Sequence, residues 1–404
     1  MRQEYIKEWI LVMLCSTFFF SVSGQFQPIN LEEAIQLASK NYPQLKRDNL
    51  SIERYNKLAT VGLPAQAMQI YISSEEYNPS LQSGVHSLNI QQNFYLPKAS
   101  KIQQRYYKQG AEVAEQQANL SLQDLSFQVG QIYYKLLYFK ALKTLQSENI
   151  ELYTDFLKAS KTRFEVGEIG ISAQLAAETR LSQALLKQQQ NEDAYTINCS
   201  LFNQWILSDT LYEPAQELSI LKKSASGSTL NDNVHLQLLK AKRDLAINAV
   251  DVQEAQLLPQ INSGVKLQNS FGVFPLFAFQ AGVNVPLFKK SYKGRIDAAN
   301  IQVKVQEANI AAEQQNLERK QMDLHYRMEQ EVKTMDHLQE YLIPLIDKQS
   351  TLNHKAYREG IIGYLEYLDS LEQVIKVKRL YVDALYSYNI TSLELSYWMS
   401  KSSY

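Results

Sequence analysis

Proline is scarce in this sequence, accounting for only 10 of 404 residues. None lies between Pro97 and Pro214, and none follows Pro344. Proline removes a backbone donor and clashes with the preceding helical turn, so it interrupts helices. The two long proline-free stretches therefore permit helices far longer than those of an average globular domain.

Cysteine is almost absent, with only Cys15 and Cys199 in the chain. Cys15 lies in a short apolar run that follows two basic residues and ends near small residues at Gly24. This arrangement is typical of a secretory signal peptide, which we predict over residues 1–24. The alternative is a membrane anchor, but the run is too short to span a bilayer comfortably. The mature chain would then keep Cys199 alone, as a buried small side chain with no disulfide partner.

Several functional classes find no support in the composition. The net charge of -1 gives no reason to expect nucleic-acid binding. After the N-terminal run, no stretch of about 20 apolar residues predicts a transmembrane helix. The histidines are scattered without metal-ligand spacing, and neither a phosphate-binding loop nor a Gly-x-Ser-x-Gly motif occurs. We therefore expect no enzyme activity, no metal site and no cofactor.

A seven-residue motif occurs twice. It reads F-E-V-G-E-I-G at residues 164–170 and Y-R-E-G-I-I-G at residues 357–363. In both copies a glycine lies three positions after an aromatic residue, and a second glycine lies three positions after the first. Glycine adopts positive φ at little cost, so a helix can end there and the chain can reverse. The motif predicts the tips of two long helical hairpins, and their spacing of about 190 residues indicates an internal duplication.

Two strands are predicted in each half, where the hydrophobic period changes after Pro64 and after Pro259. In Val85–Leu96 the apolar parity holds Leu88, Ile90, Phe94 and Leu96, and the polar parity holds Ser87, Asn89, Gln91 and Asn93. Similar alternation occurs at 68–72, 265–271 and 277–287. Such strands are typical of an outer-membrane β-barrel, but also of a soluble sheet packed on one face. Four strands cannot close a barrel, and lipid does not tolerate open sheet edges, so membrane-spanning strands would require several chains to share one barrel.

The predicted architecture is mainly α with a β part, repeated once. We place the first half at residues 31–199, a linker or equatorial region at 200–232 and the second half at 233–400, all within one protomer of residues 25–404. A helix from Leu96-Pro97 to the tip at Gly167 would hold roughly 65 residues and span about 100 Å. A rod of that length suggests a structure that extends away from the strands.

The sequence resembles the TolC-like outer-membrane efflux protein family over residues 31–400. The segments that carry this resemblance are Leu31–Ile35 with Asn41-Tyr42-Pro43, the junctions at Pro64 and Pro259, Val283–Phe288, and Tyr357–Gly360 followed by Leu365–Asp369. The resemblance implies a homotrimer in the bacterial outer membrane. Three protomers, each with four transmembrane β-strands, would form a 12-stranded barrel, continued into the periplasm by an α-barrel of long helical hairpins.

The resemblance also implies the function of a passive exit duct in a tripartite efflux pump or in type I secretion. The expected partners are a periplasmic adaptor (membrane fusion) protein, an inner-membrane transporter of RND or ABC type, and outer-membrane lipid. Drugs, metal ions and secreted proteins all remain open as transported substrates. The alternative function is a soluble periplasmic coiled-coil scaffold or tether.

Two sets of site residues follow from the resemblance. Glu366 and Asp369 fall on positions that ring the periplasmic entrance, and their spacing places them on one helix face. In a trimer they would form acidic rings that favour cations and gate the duct; the alternative is an ordinary solvated face. The residues expected to contact the adaptor lie at the hairpin tips and are Glu165, Gly167, Glu168, Gly170, Arg358, Glu359, Gly360 and Gly363; here the alternative is a plain helix turn.

Overall fold

Long helices make up most of the computed structural model, which describes residues 26–79, 83–221 and 232–399. The helices are α1 (Leu31–Asn41), α2 (Pro43–Val61), α3 (Pro97–Glu165), α4 (Ile171–Ile206), α5 (Val234–Ala255), α6 (Lys290–His337), α7 (Ile343–Arg358) and α8 (Tyr364–Met399). The mainly α fold class is thereby confirmed. The predicted signal peptide and part of the predicted linker lie outside the described residues. Within the described parts, every helix is too short or too polar to cross a membrane.

Side-chain caps and prolines set several helix starts. The Glu33 amide donates to Asn30 Oδ1 at 2.8 Å, and the Asn30 amide donates to Glu33 Oε2 at 3.4 Å, which forms a capping box at the start of α1. Pro43 begins α2 at a position where its missing N–H costs nothing. Asn233 caps α5 by accepting from the backbone amides of its first turn.

The long helices differ in continuity between the two halves. α3 is unbroken over 69 residues, which confirms the prediction of a very long helix ending at the first tip. Its counterpart is divided, because α6 and α7 are separated by a π-helical turn at Leu338–Leu342. Pro344, the second residue of α7, lacks the N–H needed to continue a regular helical ladder from this turn. α4 extends to Ile206, into the segment 200–232 that we placed in the linker or equatorial region.

The chain divides into two compact units. Unit 1 comprises the described residues up to Asn41, Val129–Ser219 and Met335–Tyr386, and it contains both hairpin tips. It also holds a parallel pair of short strands, β1 (Gln27–Ile29) and β4 (Tyr212–Pro214). β4 lies within the segment that we predicted as a linker, where three residues are too few to show a strand period.

Unit 2 comprises Tyr42–Gln128, Ile220–Thr334 and the described residues from Ser387 onward. Its strands are β2 (Gln69–Asn78), β3 (Ser83–Tyr95), β5 (Gln260–Ser270) and β6 (Val273–Asn284). They form one antiparallel sheet in the order β2-β3-β5-β6. Within each half the two strands pair with each other, and β3 pairs with β5 so that the strands of the two halves join in a single sheet.

Candidate functional site

The sheet of unit 2 has two chemically different faces. Ile72, Phe277 and Phe279 on the apolar face are 80%, 73% and 85% exposed. Ser87 and Asn89 on the polar face are only 4% and 6% exposed. A soluble sheet packed on one face would show the opposite arrangement, with its apolar side covered. The structure therefore disfavours the soluble sheet that the sequence left open.

Side-chain hydrogen bonds connect the strands across the polar face. Ser73 Oγ on β2 lies 2.8 Å from Ser87 Oγ on β3, and Asn89 Nδ2 donates to both hydroxyl oxygens at 3.2 Å. Between β5 and β3, Asn262 Nδ2 donates to Asn93 Oδ1 at 2.8 Å. These uncharged groups satisfy one another and present a hydrophilic surface that carries little charge.

Gly264 makes room for a contact that crosses a whole strand. It lies on β5 between Gln91 on β3 and Gln280 on β6. Gln280 Nε2 donates to Gln91 Oε1 at 3.3 Å by passing over the glycine. A Cβ at Gly264 would lie 3.0 Å from Gln280 Nε2 and 2.7 Å from the Ile90 carbonyl oxygen. The small residue is therefore required by close packing at the centre of the polar face.

In unit 1, the two tips share one backbone design. Gly167 and Gly360 adopt φ values of 77° and 75°, as the motif predicts for the reversal points. The Gly167 amide donates to the Phe164 carbonyl at 3.0 Å, and the Gly360 amide donates to the Tyr357 carbonyl at 3.1 Å. The second glycine of each motif has no such role: Gly170 has a φ of -77° and Gly363 is not among the positive-φ residues.

The tip residues predicted to contact the adaptor all lie on the surface. Exposed positions are Glu165, Gly167, Glu168, Gly170, Arg358, Glu359, Gly360 and Gly363. Val166 and Ile361, at 66% and 71% exposure, add one apolar side chain to each tip. Sequence reasoning missed both, although an apolar residue next to a turn glycine is a readable signal. Adaptor contact itself stays a prediction.

An aromatic cluster of unit 1 fixes the second tip against α3. The rings of Tyr357 and Tyr367 stack with centroids 4.6 Å apart, and Phe156 packs against both. The hydroxyl of Tyr357 lies 2.9 Å from the buried Ser160 Oγ. Arg163 donates to the Tyr357 carbonyl at 3.2 Å and lies over the same ring. Burial raises the pKa of Tyr367 to about 12, with further contributions from Asp155 and Tyr357, so its hydroxyl remains protonated at neutral pH.

The predicted gate residues lie on the opposite side of α8 from this cluster. Glu366 and Asp369 are exposed, whereas Tyr367 and Leu371 are buried at 1% exposure each. Asp369 Oδ2 accepts a hydrogen bond from Gln373 Nε2 at 2.7 Å. The two carboxylates thus share a solvent-facing stripe, and their role as a gate stays a prediction. Over the described residues, no group of His, Cys, Asp and Glu side chains could hold a metal ion.

Comparison with known proteins gives matches in sequence family and in fold. Residues 225–399 match the family model described as outer membrane efflux protein. CusC is similar in structure, with a TM-score of 0.78 and 15% identity over 94% of this chain and 96% of that chain. No curated protein matches the sequence.

Two further solved structures are outer membrane channels. The CmeC outer membrane channel of Campylobacter jejuni gives a TM-score of 0.73 at 14% identity, over 92% of this chain and 86% of that chain. The MtrE outer membrane channel of Neisseria gonorrhoeae, in its open state, gives a TM-score of 0.73 at 16% identity, over 92% of this chain and 88% of that chain. At these identities the structures show the fold, and together with the family model they confirm the resemblance drawn from the sequence.

Proposed function

We propose that this TolC-like outer-membrane efflux protein is a passive exit duct in the bacterial outer membrane. Three copies share one β-barrel, and their long helices form a tunnel through the periplasm. The observation that carries the proposal is the two-faced sheet, whose apolar side chains are exposed and whose neutral polar side chains bond to one another. Lipid on one side and water on the other would satisfy both faces.

The free edges of the sheet support assembly from several copies. Within the part of the chain that the structure describes, β2 and β6 each have a strand neighbour on one side only. Unpaired backbone groups are too costly to expose to hydrocarbon, so these edges require partners. Because neighbouring strands alternate in direction, β6 of one copy can pair antiparallel with β2 of the next. Three copies would close a ring of about twelve strands, which leaves an interior wide enough for water.

The exposed tips support a role in docking to a periplasmic adaptor. They combine acidic side chains, Arg358 and the apolar side chains of Val166 and Ile361. Through this adaptor, an inner-membrane transporter of RND or ABC type would supply the energy, either for efflux or for type I secretion. The duct itself would provide a sealed aqueous path.

Assembly and conductance test the proposed function together. We expect the protein to require detergent for extraction, to run as a heat-modifiable trimer and to form ion-conducting pores in planar bilayers. If the protein is instead extracted in buffer without detergent and forms no conducting pores, the result would support a soluble periplasmic coiled-coil scaffold or tether.

The acidic pair on α8 gives a specific prediction about gating. Neutralising Glu366→Gln and Asp369→Asn together should increase or otherwise alter single-channel conductance and reduce cation selectivity, because rings of carboxylates attract cations to the entrance. Glu151→Gln, which removes an exposed carboxylate from α3, is the matched control. If the double variant and the control both behave like the wild type, Glu366 and Asp369 do not form the gate.

A further inference from the structure

The strands of the sheet carry few charged side chains, and one of them is basic. Lys266 on β5 is the only lysine or arginine in β2, β3, β5 and β6. The acidic residues of these strands are Glu75 and Glu76, both in β2. Every other polar side chain described above on the polar face is a serine, asparagine or glutamine.

The lysine lies on the polar face and reaches across a neighbouring strand. It is directly opposite Asn89 on β3, a residue of the hydrogen-bond network. Its Nζ atom nevertheless lies 4.0 Å from Glu75 Oε1 on β2, the strand beyond β3. The Lys266 side chain is 24% exposed and that of Glu75 is 64% exposed. The lysine therefore extends along the polar surface toward a more exposed carboxylate.

We propose that Lys266, restrained by Glu75, determines the charge selectivity of the polar sheet face. The inference rests on the proposed function, in which that face lines a water-filled barrel. Neutral amides and hydroxyls interact with cations and anions alike, so the few fixed charges of the strands, with Lys266 as their one lysine or arginine, dominate the local potential. In the wild type the carboxylate partly balances the ammonium group. Removing either member exposes the charge of the other to passing ions.

Reversal potentials across planar bilayers under a KCl gradient test this inference. Lys266→Gln should shift the cation-to-anion permeability ratio toward cations by about two- to fivefold, and Glu75→Gln should shift it toward anions by a similar factor. The double variant should return close to the wild-type ratio. A conducting wild type whose ratio stays unchanged in both single variants would overturn the inference and leave the proposed function intact. A wild type that never conducts would overturn both.

Neighbouring cysteine variants test whether Lys266 faces the ion path. Lys266→Cys and Leu267→Cys lie on opposite faces of β5, and Cys199, at 1% exposure, can be replaced by alanine in the background. A negatively charged thiosulfonate reagent should shift Lys266→Cys pores toward cations, and a positively charged one toward anions. Leu267→Cys pores should not respond to either reagent. Equal responses at both positions would contradict the assignment of Lys266 to the lining.

Discussion

Replacing Gly264 by alanine is expected to destabilise the sheet, whereas the same change at Gly282 is expected to be tolerated. Both glycines lie on the polar face, Gly264 on β5 and Gly282 on the neighbouring β6. A Cβ at Gly282 would have no atom within 4 Å, but at Gly264 it would lie 2.7 Å from the Ile90 carbonyl oxygen. The two variants therefore change the same chemistry in different packing environments.

The cost at Gly264 follows from what has to move. Ordinary contact begins at 3.4 Å, so the Ile90 carbonyl would have to retreat by several tenths of an ångström. That carbonyl belongs to the backbone of β3, an inner strand of the sheet, and cannot rotate away. Gln280 can rotate, but it would then lose its hydrogen bond to Gln91. Overpacking of this kind costs about 1–3 kcal/mol per copy, whereas alanine at Gly282 gains about 0.5–1 kcal/mol by restricting the unfolded chain.

Scanning calorimetry of the purified protein in detergent measures the difference. We expect the melting temperature of Gly264→Ala to fall below that of the wild type, and that of Gly282→Ala to match or exceed it. Electrophoresis without heating, over a temperature series, should give the same order for loss of the folded band. Equal melting of Gly264→Ala and Gly282→Ala would refute the close approach between β5 and β3.

The tips and their aromatic support give two further predictions. Gly360→Ala should lower the melting temperature, because alanine at positive φ costs about 1–2 kcal/mol, while Gly363→Ala, with no atom within 4 Å of the added Cβ, should not. Tyr357→Phe should destabilise by about 1–3 kcal/mol because it leaves the fully buried Ser160 hydroxyl without its partner. Tyr367→Phe, whose hydroxyl bonds to a part-buried group, should cost less. Calorimetry of each variant beside the wild type tests both predictions. Equal melting of the two glycine variants would contradict the need for positive φ at Gly360, and equal melting of the two tyrosine variants would contradict the special role of the Tyr357 hydroxyl.

Local patterns made the tips and the faces of the sheet predictable. The glycine at the fourth position of each tip motif has the positive φ that the pattern required. Alternation along β3 and β6 also assigned side chains to faces correctly, because strand geometry places successive residues on opposite sides. Each of these predictions depends on residues that are close together in the sequence.

Features that depend on distant partners were not predictable in this way. Phe164 and Tyr357 occupy the same position of the repeated motif, yet Phe164 is 38% exposed and Tyr357 is fully buried. The difference arises because Phe156 and Tyr367 cover only the second of the two. In the same way, Lys266 can reach across β3 only because β5 pairs with β3. The hydrophobic alternation along β5 does not indicate which strand lies beside it.

The exposed edge strand β6 gives the strongest physical reason to expect a closed assembly. All twelve of its residues are exposed, and the strand carries no charged side chain. Soluble proteins protect such edges with lysines, bulges or covering segments, since an unpaired apolar strand promotes aggregation. The other edge, β2, carries Glu75 and Glu76, but β6 has only Pro275 near its start. A strand of this composition promotes aggregation unless its edge is paired and its apolar face is covered, and a barrel shared between copies in lipid would meet both requirements.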